Sequence, residues 1–198
     1  MKKVILVDLD HTLIRTAYLK QRAIAVAGRL GVAKKIAREN LDSAIAGKPF
    51  HIRSYARRLG GSKHQRAMLL KEFLKLHEEP KKYNFPGVEH FLRRLSRRFT
   101  LMVLTHGHPE YQRWKIDQSK LLRFFNRVIA TKEHTKRREL LRFYKKFGSN
   151  ITLIDDSRIV VAVARNIGMR AILVRKGRKD ERYYRQLSRR IETQMGGA

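Results

Sequence analysis

The chain of 198 residues contains no cysteine. This absence excludes a disulfide framework, a thiolate metal site and a cysteine nucleophile, and it favours the reducing cytoplasm as the compartment. Long apolar runs are absent as well, since the stretch in MKKVILVDLD is too short for a signal peptide or a membrane span. We therefore expect a soluble protein without membrane contact, long enough for one domain with a sizeable core and a smaller inserted lobe.

Acidic residues are scarce: 17 Asp and Glu face 46 Lys and Arg, which gives a formal net charge of +29. Clustered basic residues neutralise phosphates, so this composition points to nucleic acid as a partner. The excess is spread evenly, however, because residues 16–84 hold 16 basic and 5 acidic side chains and the remainder has a similar density. We expect weak, non-specific nucleic-acid binding at most, and a generally solvated basic surface explains the composition equally well.

Four of the few aspartates form two pairs, and each pair directly follows a short apolar run. Asp8 and Asp10 close the run in VILVDLD, and Asp155 and Asp156 close the run in ITLIDDS. Such runs are typical of buried parallel strands, so the carboxylates stand at strand ends. Carboxylates this close raise one another's pKa unless a cation neutralises them, and Mg²⁺ suits hard oxygen ligands. The pattern predicts an acidic, metal-holding pocket.

The order of apolar runs and helical patterns indicates an α/β fold. Strands are predicted at residues 3–7, 100–104, 127–130, 151–154 and 171–174. Helices are predicted at 109–120, 136–147 and 159–167, and a final helix carries Tyr183, Leu187 and Ile191 on one face. Strands that alternate with helices of this length favour a parallel sheet with right-handed crossovers, which is a Rossmann-like core.

This alternation is interrupted after the first strand. Residues 16–84 show no strand pattern but three helical stretches, at 17–30, 33–46 and 63–77. The stretches are separated by Gly31, by Gly47 with Pro49, and by Gly60 with Gly61. We predict that residues 16–84 form a small helical cap, and that residues 1–15 and 85–198 together form the core.

Three predicted strand ends carry side chains that could take part in catalysis. In open parallel sheets ligands bind at the carboxyl ends of the strands, and Asp8, Thr105 and Asp155 each fall at such an end. Asp10 stands two residues beyond Asp8, so the two carboxylates are expected side by side. A carboxylate nucleophile beside a carboxyl acid/base is one route to phosphoryl transfer through an aspartyl-phosphate.

Four motifs in order resemble the haloacid dehalogenase superfamily of aspartate-dependent phosphohydrolases. DLDHTL is similar to the first motif, and Thr105 in LMVLTHGH matches the residue that closes the second core strand. Lys136 in TKEHTKRREL matches the lysine of the third motif, with Lys132 as the alternative. Asp155 and Asp156 match the paired acids of the fourth. The resemblance spans the core and implies a haloacid-dehalogenase-like fold with a cap after the first motif.

The resemblance also implies a mechanism, that of a Mg²⁺-dependent phosphatase acting on a small phosphorylated substrate. Asp8 would be the nucleophile, and Asp10 the general acid that later serves as base. Thr105 and Lys136 would bind the phosphoryl group. The implied metal ligands are Asp8, Asp10, Asp155 and Asp156. Many relatives carry a further acid four or five residues beyond the fourth motif, where this chain has Val160 and Val161. Metal binding must then rest on the adjacent pair.

Two alternatives remain open on the sequence. One is a basic nucleic-acid-binding protein built on the same core, and the other is a phosphatase of nucleic-acid ends. A cavity closed by the cap would admit only a small phosphomonoester, whereas an open groove lined by Arg and Lys would admit a polymer.

Further side chains could take part at the site. His106, like His11 and His108, lies next to a motif and could bind substrate phosphate at the mouth of the cleft, or be an ordinary polar loop residue. In the cap, Tyr55 stands among Arg53, Arg57 and Arg58. This pattern favours one face of an amphipathic helix over an anion-binding surface.

Overall fold

The computed structural model describes residues 3–46, 50–175, 177 and 179–196. Its strands are β1 (Val4–Val7), β2 (Thr100–His106), β3 (Arg127–Thr131), β4 (Ile151–Asp155) and β5 (Arg170–Leu173). They form one sheet in the order β3-β2-β1-β4-β5, and every neighbouring pair is parallel. The predicted α/β fold with a Rossmann-like parallel sheet is confirmed.

Ten α-helices occur among the described residues. Between β1 and β2 lie α1 (Thr16–Arg29), α2 (Lys34–Ala46), α3 (Ile52–Leu59), α4 (Lys63–Lys75), α5 (Pro80–Tyr83) and α6 (Val88–Ser96). The later helices are α7 (Pro109–Gln118), α8 (Arg137–Phe147), α9 (Arg158–Asn166) and α10 (Glu181–Gly196). The amphipathic helix favoured around Tyr55 is α3, whose bounds the sequence did not predict. The sequence did not predict α5 and α6, which have only four and nine residues. The break expected at Gly47 and Pro49 lies outside the described residues.

Alternation along β1 divides the core between the two faces of the sheet. Ile5 and Val7 pack into the apolar cluster that contains α6 and α10, whereas Val4 and Leu6 pack into the cluster under α8 and α9. Successive side chains of a strand point to opposite faces, so a central strand covered on both faces must be apolar at every position. This burial fixes β1 in the middle of the sheet.

The final helix is locked against α6 at a glycine. Gly87 has φ +82° at the start of α6, and a Cβ there would stand 2.6 Å from the Cα of Glu181. Only glycine takes this left-handed conformation and this close approach without strain. The start of α10 therefore meets the start of α6 directly.

Helices α1 to α4, called here the inserted helices, pack around an apolar cluster of their own. It contains Tyr55, Leu69 and Phe73, and the core helix α7 contributes Tyr111 to it. Tyr55 is fully buried, so α3 turns this ring inward and its arginines outward, as an amphipathic helix does. Across the described ranges, no helix has both the length and the apolar composition that crossing a membrane requires.

Candidate active site

The sheet gathers three functional side chains at one edge. The strand order reverses at β1, whose neighbours are β2 on one side and β4 on the other. Such a reversal opens a crevice beyond the carboxyl ends of the strands. Asp8 follows β1, Thr105 lies near the end of β2 and Asp155 ends β4. All three are buried, with exposures of 5%, 1% and 1%.

Lys136 lies between two of these carboxylates. Its Nζ donates to Oδ1 of Asp8 at 2.6 Å, to Oδ2 of Asp155 at 2.7 Å and to the carbonyl of Leu104 at 3.0 Å. Lys136 precedes α8 with φ +57°, a left-handed conformation that is uncommon for a residue with a side chain and that clusters at functional sites. Lys132 is exposed, so the structure brings Lys136 rather than Lys132 into the site.

The pKa values of this buried group reflect burial opposed by charge. Burial raises the pKa of Asp8 to about 8 against the pull of the Lys136 charge, and the neighbouring Asp155 raises it further. Burial acts to lower the pKa of Lys136, but the two carboxylates outweigh it and the pKa rises. The proton therefore stays on Lys136. An additional cation beside Asp8 would hold it in the ionised form that a nucleophile needs.

Asp10 is held by a separate set of partners. Lys115 Nζ lies 2.6 and 2.7 Å from its two carboxylate oxygens, Thr16 Oγ1 donates at 2.5 Å and Gln112 Nε2 at 3.1 Å. Although burial opposes ionisation, the charge and hydrogen bond of Lys115, with those from Thr16 and Gln112, hold the pKa of Asp10 well below its usual range. Asp10 is therefore ionised in this arrangement.

Sequence reasoning missed Lys115, although a signal was present. Lys115 is four residues beyond Tyr111, on the buried face of α7, and is itself 3% exposed. A lysine at an apolar position of an amphipathic helix requires a buried partner, because an unpaired buried charge is costly. The identity of that partner is not encoded locally, since Asp10 lies 105 positions away.

Lys179 is a second missed residue, and it supports the loop after β1. Its Nζ donates to the carbonyl of His11 at 2.6 Å and lies 4.3 Å from the ring centre of Phe85. His11 itself has φ +58°. The lysine thus ties the loop that carries Asp8 and Asp10 to the segment leading into α10.

Three carboxylates form a group that could hold a divalent cation. Ligand atoms of Asp8, Asp155 and Asp156 all lie within 4.8 Å of one another. When all three carboxylates are ionised, the positive charge of Lys136 leaves two negative charges, which a divalent cation would balance, and the carboxylate oxygens suit Mg²⁺. The Asp10 carboxylate is outside this group and faces Lys115 instead. Val160 and Val161 are buried and offer no oxygen ligand to this group.

The remaining predicted phosphate-binding residues are Thr105 and His106. Thr105 Oγ1 is buried and lines the site cavity without a hydrogen-bond partner among the described residues, so its hydroxyl is available to a ligand. His106 is half-buried and lines the same cavity, as does His11. His108 does not line it, and its ring packs edge-on against His51 with centroids 4.7 Å apart.

Comparisons with known proteins agree with this geometry. The profile of the haloacid dehalogenase-like hydrolase family matches residues 5–174. No curated protein sequence matches the chain. A haloacid dehalogenase-like family hydrolase from Xanthomonas campestris superposes with a TM-score of 0.70 at 15% identity, covering 98% of this chain and 94% of that one.

Two further solved structures share the fold. YfnB from Bacillus subtilis, a structure bound to magnesium, gives a TM-score of 0.61 at 16% identity and covers 94% of this chain and 98% of that one. L-2-haloacid dehalogenase from Xanthobacter autotrophicus, with chloropropionic acid covalently bound, gives 0.59 at 15% identity and covers 88% and 78%. Because the family profile spans most of the chain and the buried aspartates, threonine and lysine meet at one sheet edge, the protein belongs to the haloacid dehalogenase-like hydrolases.

Proposed function

We propose that the protein is a Mg²⁺-dependent phosphatase that hydrolyses phosphomonoesters through an aspartyl-phosphate on Asp8. One observation carries this proposal: Asp8 lies beside Lys136, beside two further carboxylates and near the unpartnered hydroxyl of Thr105. A phosphomonoester is a dianion that bare carboxylates would repel. Lys136 and Thr105 supply a positive charge and a donor for its oxygens.

The proposed reaction has two steps. An Asp8 oxygen attacks phosphorus while the bond to the leaving oxygen breaks, and Asp10 gives its proton to that oxygen. Water then attacks the aspartyl-phosphate, Asp10 takes the proton back, and phosphate leaves with the Asp8 carboxylate restored. Lys115 keeps Asp10 ionised in the resting site. The negative phosphoryl group that enters beside Asp10 raises its pKa, and Asp10 takes up one proton from solvent before it gives that proton to the leaving oxygen.

Asp8, Asp155 and Asp156 would hold Mg²⁺, and the backbone beside Asp10 would complete the ligands. A bound Mg²⁺ screens the phosphoryl charge and stabilises the charge that develops in the transition state. The balance of charge in the group supports a divalent rather than a monovalent ion. The carboxylate of Asp10, held by Lys115, stays free of the metal and available for proton transfer.

A phosphoryl substrate is favoured over a haloacid by the chemistry of the leaving group. A halide leaves as a stable anion and needs no proton, whereas an alkoxide needs a general acid. In the proposed mechanism Asp10, held by Gln112 and Lys115, supplies this acid, a step that a halide leaving group does not require. This argument supports phosphatase over dehalogenase activity.

We further propose that residues 16–84 act as a cap and restrict the site to small substrates. The cavity between the sheet edge and the inserted helices measures about 340 Å³, near the lower end of the range of ligand pockets. Among the described residues that line it there is no arginine, and Lys20 is the one lysine contributed from the inserted helices. A small phosphorylated substrate fits this lining better than a nucleic-acid end does.

The test is release of inorganic phosphate from p-nitrophenyl phosphate, followed by sugar phosphates, nucleotides, phosphoglycolate and end-phosphorylated oligonucleotides. We expect Mg²⁺-dependent turnover that EDTA abolishes and added Mg²⁺ restores. In Asp8→Asn the attacking carboxylate is lost with little change of shape, so turnover should fall by roughly 10⁴-fold or more. An unchanged melting temperature is the control for folding. Retention of most of the activity in Asp8→Asn would disprove the mechanism.

A weaker second role is favoured by exposed cations in another cleft of the core. Arg97, Arg98 and Arg185 line a cleft between α6 and α10, and they form no salt bridge with any acidic side chain in the described part of the chain. We propose that this cleft, with the rest of the basic surface, binds nucleic acid weakly and without sequence preference. Tyr55 cannot assist by stacking on bases, because it is buried among the inserted helices.

A further inference from the structure

The cavity above the catalytic residues has two chemically different ends. Its floor consists of Asp8, Asp10, Thr105, Lys136 and Asp155 at the sheet edge. Its roof consists of six apolar side chains from the inserted helices and the segments that flank them: Leu19, Ala23, Leu41, Phe50, Ile52 and Leu76. A substrate whose phosphoryl group binds at the floor must place its alcohol portion against the roof.

The polar side chains that stand among the roof residues already have partners within the protein. Tyr55 donates its hydroxyl to the carbonyl of Ala37 at 2.9 Å. The Tyr111 hydroxyl lies 3.4 Å from Nε2 of His77, and the Nδ1 of that histidine lies 3.2 Å from the carbonyl of Phe73. These three rings therefore offer a ligand aromatic surface rather than free hydrogen-bonding groups.

Most donors between floor and roof are engaged as well. Thr16, Gln112 and Lys115 all direct their donors to Asp10, and Gln112 also donates to the carbonyl of His106 at 2.9 Å. The Gln112 side chain is locked by close packing, since a Cβ at Gly107 would stand 2.4 Å from its Nε2, and its Oε1 is left without a hydrogen-bond partner in the described part of the chain. Lys20 is the cation that the inserted helices contribute to the lining. The other polar side chains of the lining end or follow the strands of the sheet and therefore stand on the floor side: His11, His106, His134, Asp156 and Ser157.

We propose that the site selects phosphomonoesters with a largely apolar alcohol, an aryl-methyl or short aliphatic group, over the phosphates of polyhydroxylated sugars. This selectivity rests on the proposed phosphatase function. A sugar brings several hydroxyls that would lose their bound water against a roof of six apolar side chains, which offer no hydrogen-bond partner, and each unpaired hydroxyl opposes binding. An apolar alcohol has no such groups, and its surface leaves water on contact with the roof.

The test compares substrates with similar primary-alcohol leaving groups, so that intrinsic reactivity does not decide the outcome. Benzyl phosphate, n-butyl phosphate, glucose 6-phosphate and glycerol 3-phosphate are assayed with Mg²⁺ by release of inorganic phosphate. We expect kcat/KM for benzyl phosphate to exceed that for glucose 6-phosphate at least tenfold, with the difference mainly in KM. Equal values, or a preference for the sugar phosphates, would overturn the proposal.

Failure of the selectivity and failure of the phosphatase function give different results. If the selectivity alone is wrong, sugar phosphates are hydrolysed as well as benzyl phosphate, and Asp8→Asn abolishes both activities. If the function is wrong, none of the four esters is hydrolysed and p-nitrophenyl phosphate is not hydrolysed either. Both results reject the proposed selectivity, and the second also rejects the proposed phosphatase function.

Two variants of roof residues test whether the roof determines the selectivity. Leu76→Asn introduces a polar amide at a half-buried position, and Ala23→Leu fills space above the floor. Both should lower the ratio of kcat/KM for benzyl phosphate to that for glycerol 3-phosphate by about tenfold. Leu70→Asn is the matched control, because Leu70 packs partly buried among the same helices but does not line the cavity. A ratio that falls equally in Leu70→Asn, or in no variant, would refute the roof as the selective element.

Discussion

The floor and the roof of the cavity differ in how they hold buried ionisable groups. At the floor, charges are retained in the interior because each faces an opposite charge, as Lys136 faces Asp8 and Asp155 and as Lys115 faces Asp10. Near the roof, His77 is 2% exposed and has no such partner, and burial lowers its pKa to about 4. Buried ionisable groups thus stay charged where they face an opposite charge, and become neutral where they do not.

This difference assigns the reaction to the floor residues and the choice of substrate to the roof residues. The floor residues come from the ends of β1, β2 and β4 and from the segment between β3 and α8, so their distances are fixed by the sheet. Most roof residues come from helices with an apolar cluster of their own, whereas Leu19 packs into the cluster on the sheet. Substitutions at the floor should therefore affect turnover, and substitutions at the roof should affect which substrate binds.

The largest expected effect comes from removing the cation at the centre of the floor. Lys136→Met leaves Asp8 and Asp155 facing each other in the interior, so activity should fall by about 10³-fold. Without divalent metal, the free energy of unfolding should fall by about 3–5 kcal/mol, because two buried carboxylates lose their counter-charge. Phosphate release and urea unfolding measure the two effects. Lys132→Met, at an exposed position, is the control that should change neither.

The second floor cation should matter less, since it acts on the reaction through Asp10. In Lys115→Met the Asp10 carboxylate loses its charged partner and its fixed position, and we expect kcat to fall about 10- to 100-fold with KM nearly unchanged. Steady-state kinetics provide the measurement, and Arg113→Met on the exposed face of α7 is the control. An equal fall of kcat in both variants would mean that the loss of any positive charge on α7 lowers activity, and that Lys115 does not position Asp10.

His77 offers a smaller test, on the pH dependence of stability near the roof. Its folded pKa of about 4 lies below the ordinary 6.5, so the unfolded chain binds more protons between these values and stability falls as the pH drops through this window. The contribution is up to about 3 kcal/mol. Urea unfolding from pH 7 to 4.5 should show a weaker decline in His77→Gln than in the native chain. Parallel declines would show that His77 titrates normally.

The smallest effect concerns those cations of the outer surface that are neither buried nor paired with an acid. A fluorescent oligonucleotide should bind weakly and lose affinity steeply with salt, with a log–log slope of about 0.9 for each neutralised duplex phosphate. If binding is diffuse, replacing Arg97, Arg98 and Arg185 by Gln should weaken it no more than replacing Lys34, Lys35 and Arg38 by Gln. A much larger loss in the cleft variant, or sub-micromolar affinity at physiological salt, would indicate a dedicated site.

The sequence by itself determined the fold and the positions of the acids. A continuous apolar run such as VILV can be buried only in a strand covered on both faces, and the aspartates that follow it must emerge at the sheet edge. Asp8 and Asp155 are thereby both placed at this edge, and the pairing of β1 with β4 in the folded sheet makes them neighbours. The even spread of basic residues was also readable from composition alone.

Only the tertiary structure decided which lysines reach the acids and what covers them. The sequence favoured Lys136 and kept Lys132 as the alternative, and the structure directs Lys136 inward from a left-handed turn. The pair of Lys115 and Asp10 and the apolar roof depend on contacts between segments far apart in the chain. Local patterns report which side of a helix or strand is buried, but the identity of the group on the other side is set by packing, and packing is a property of the whole chain.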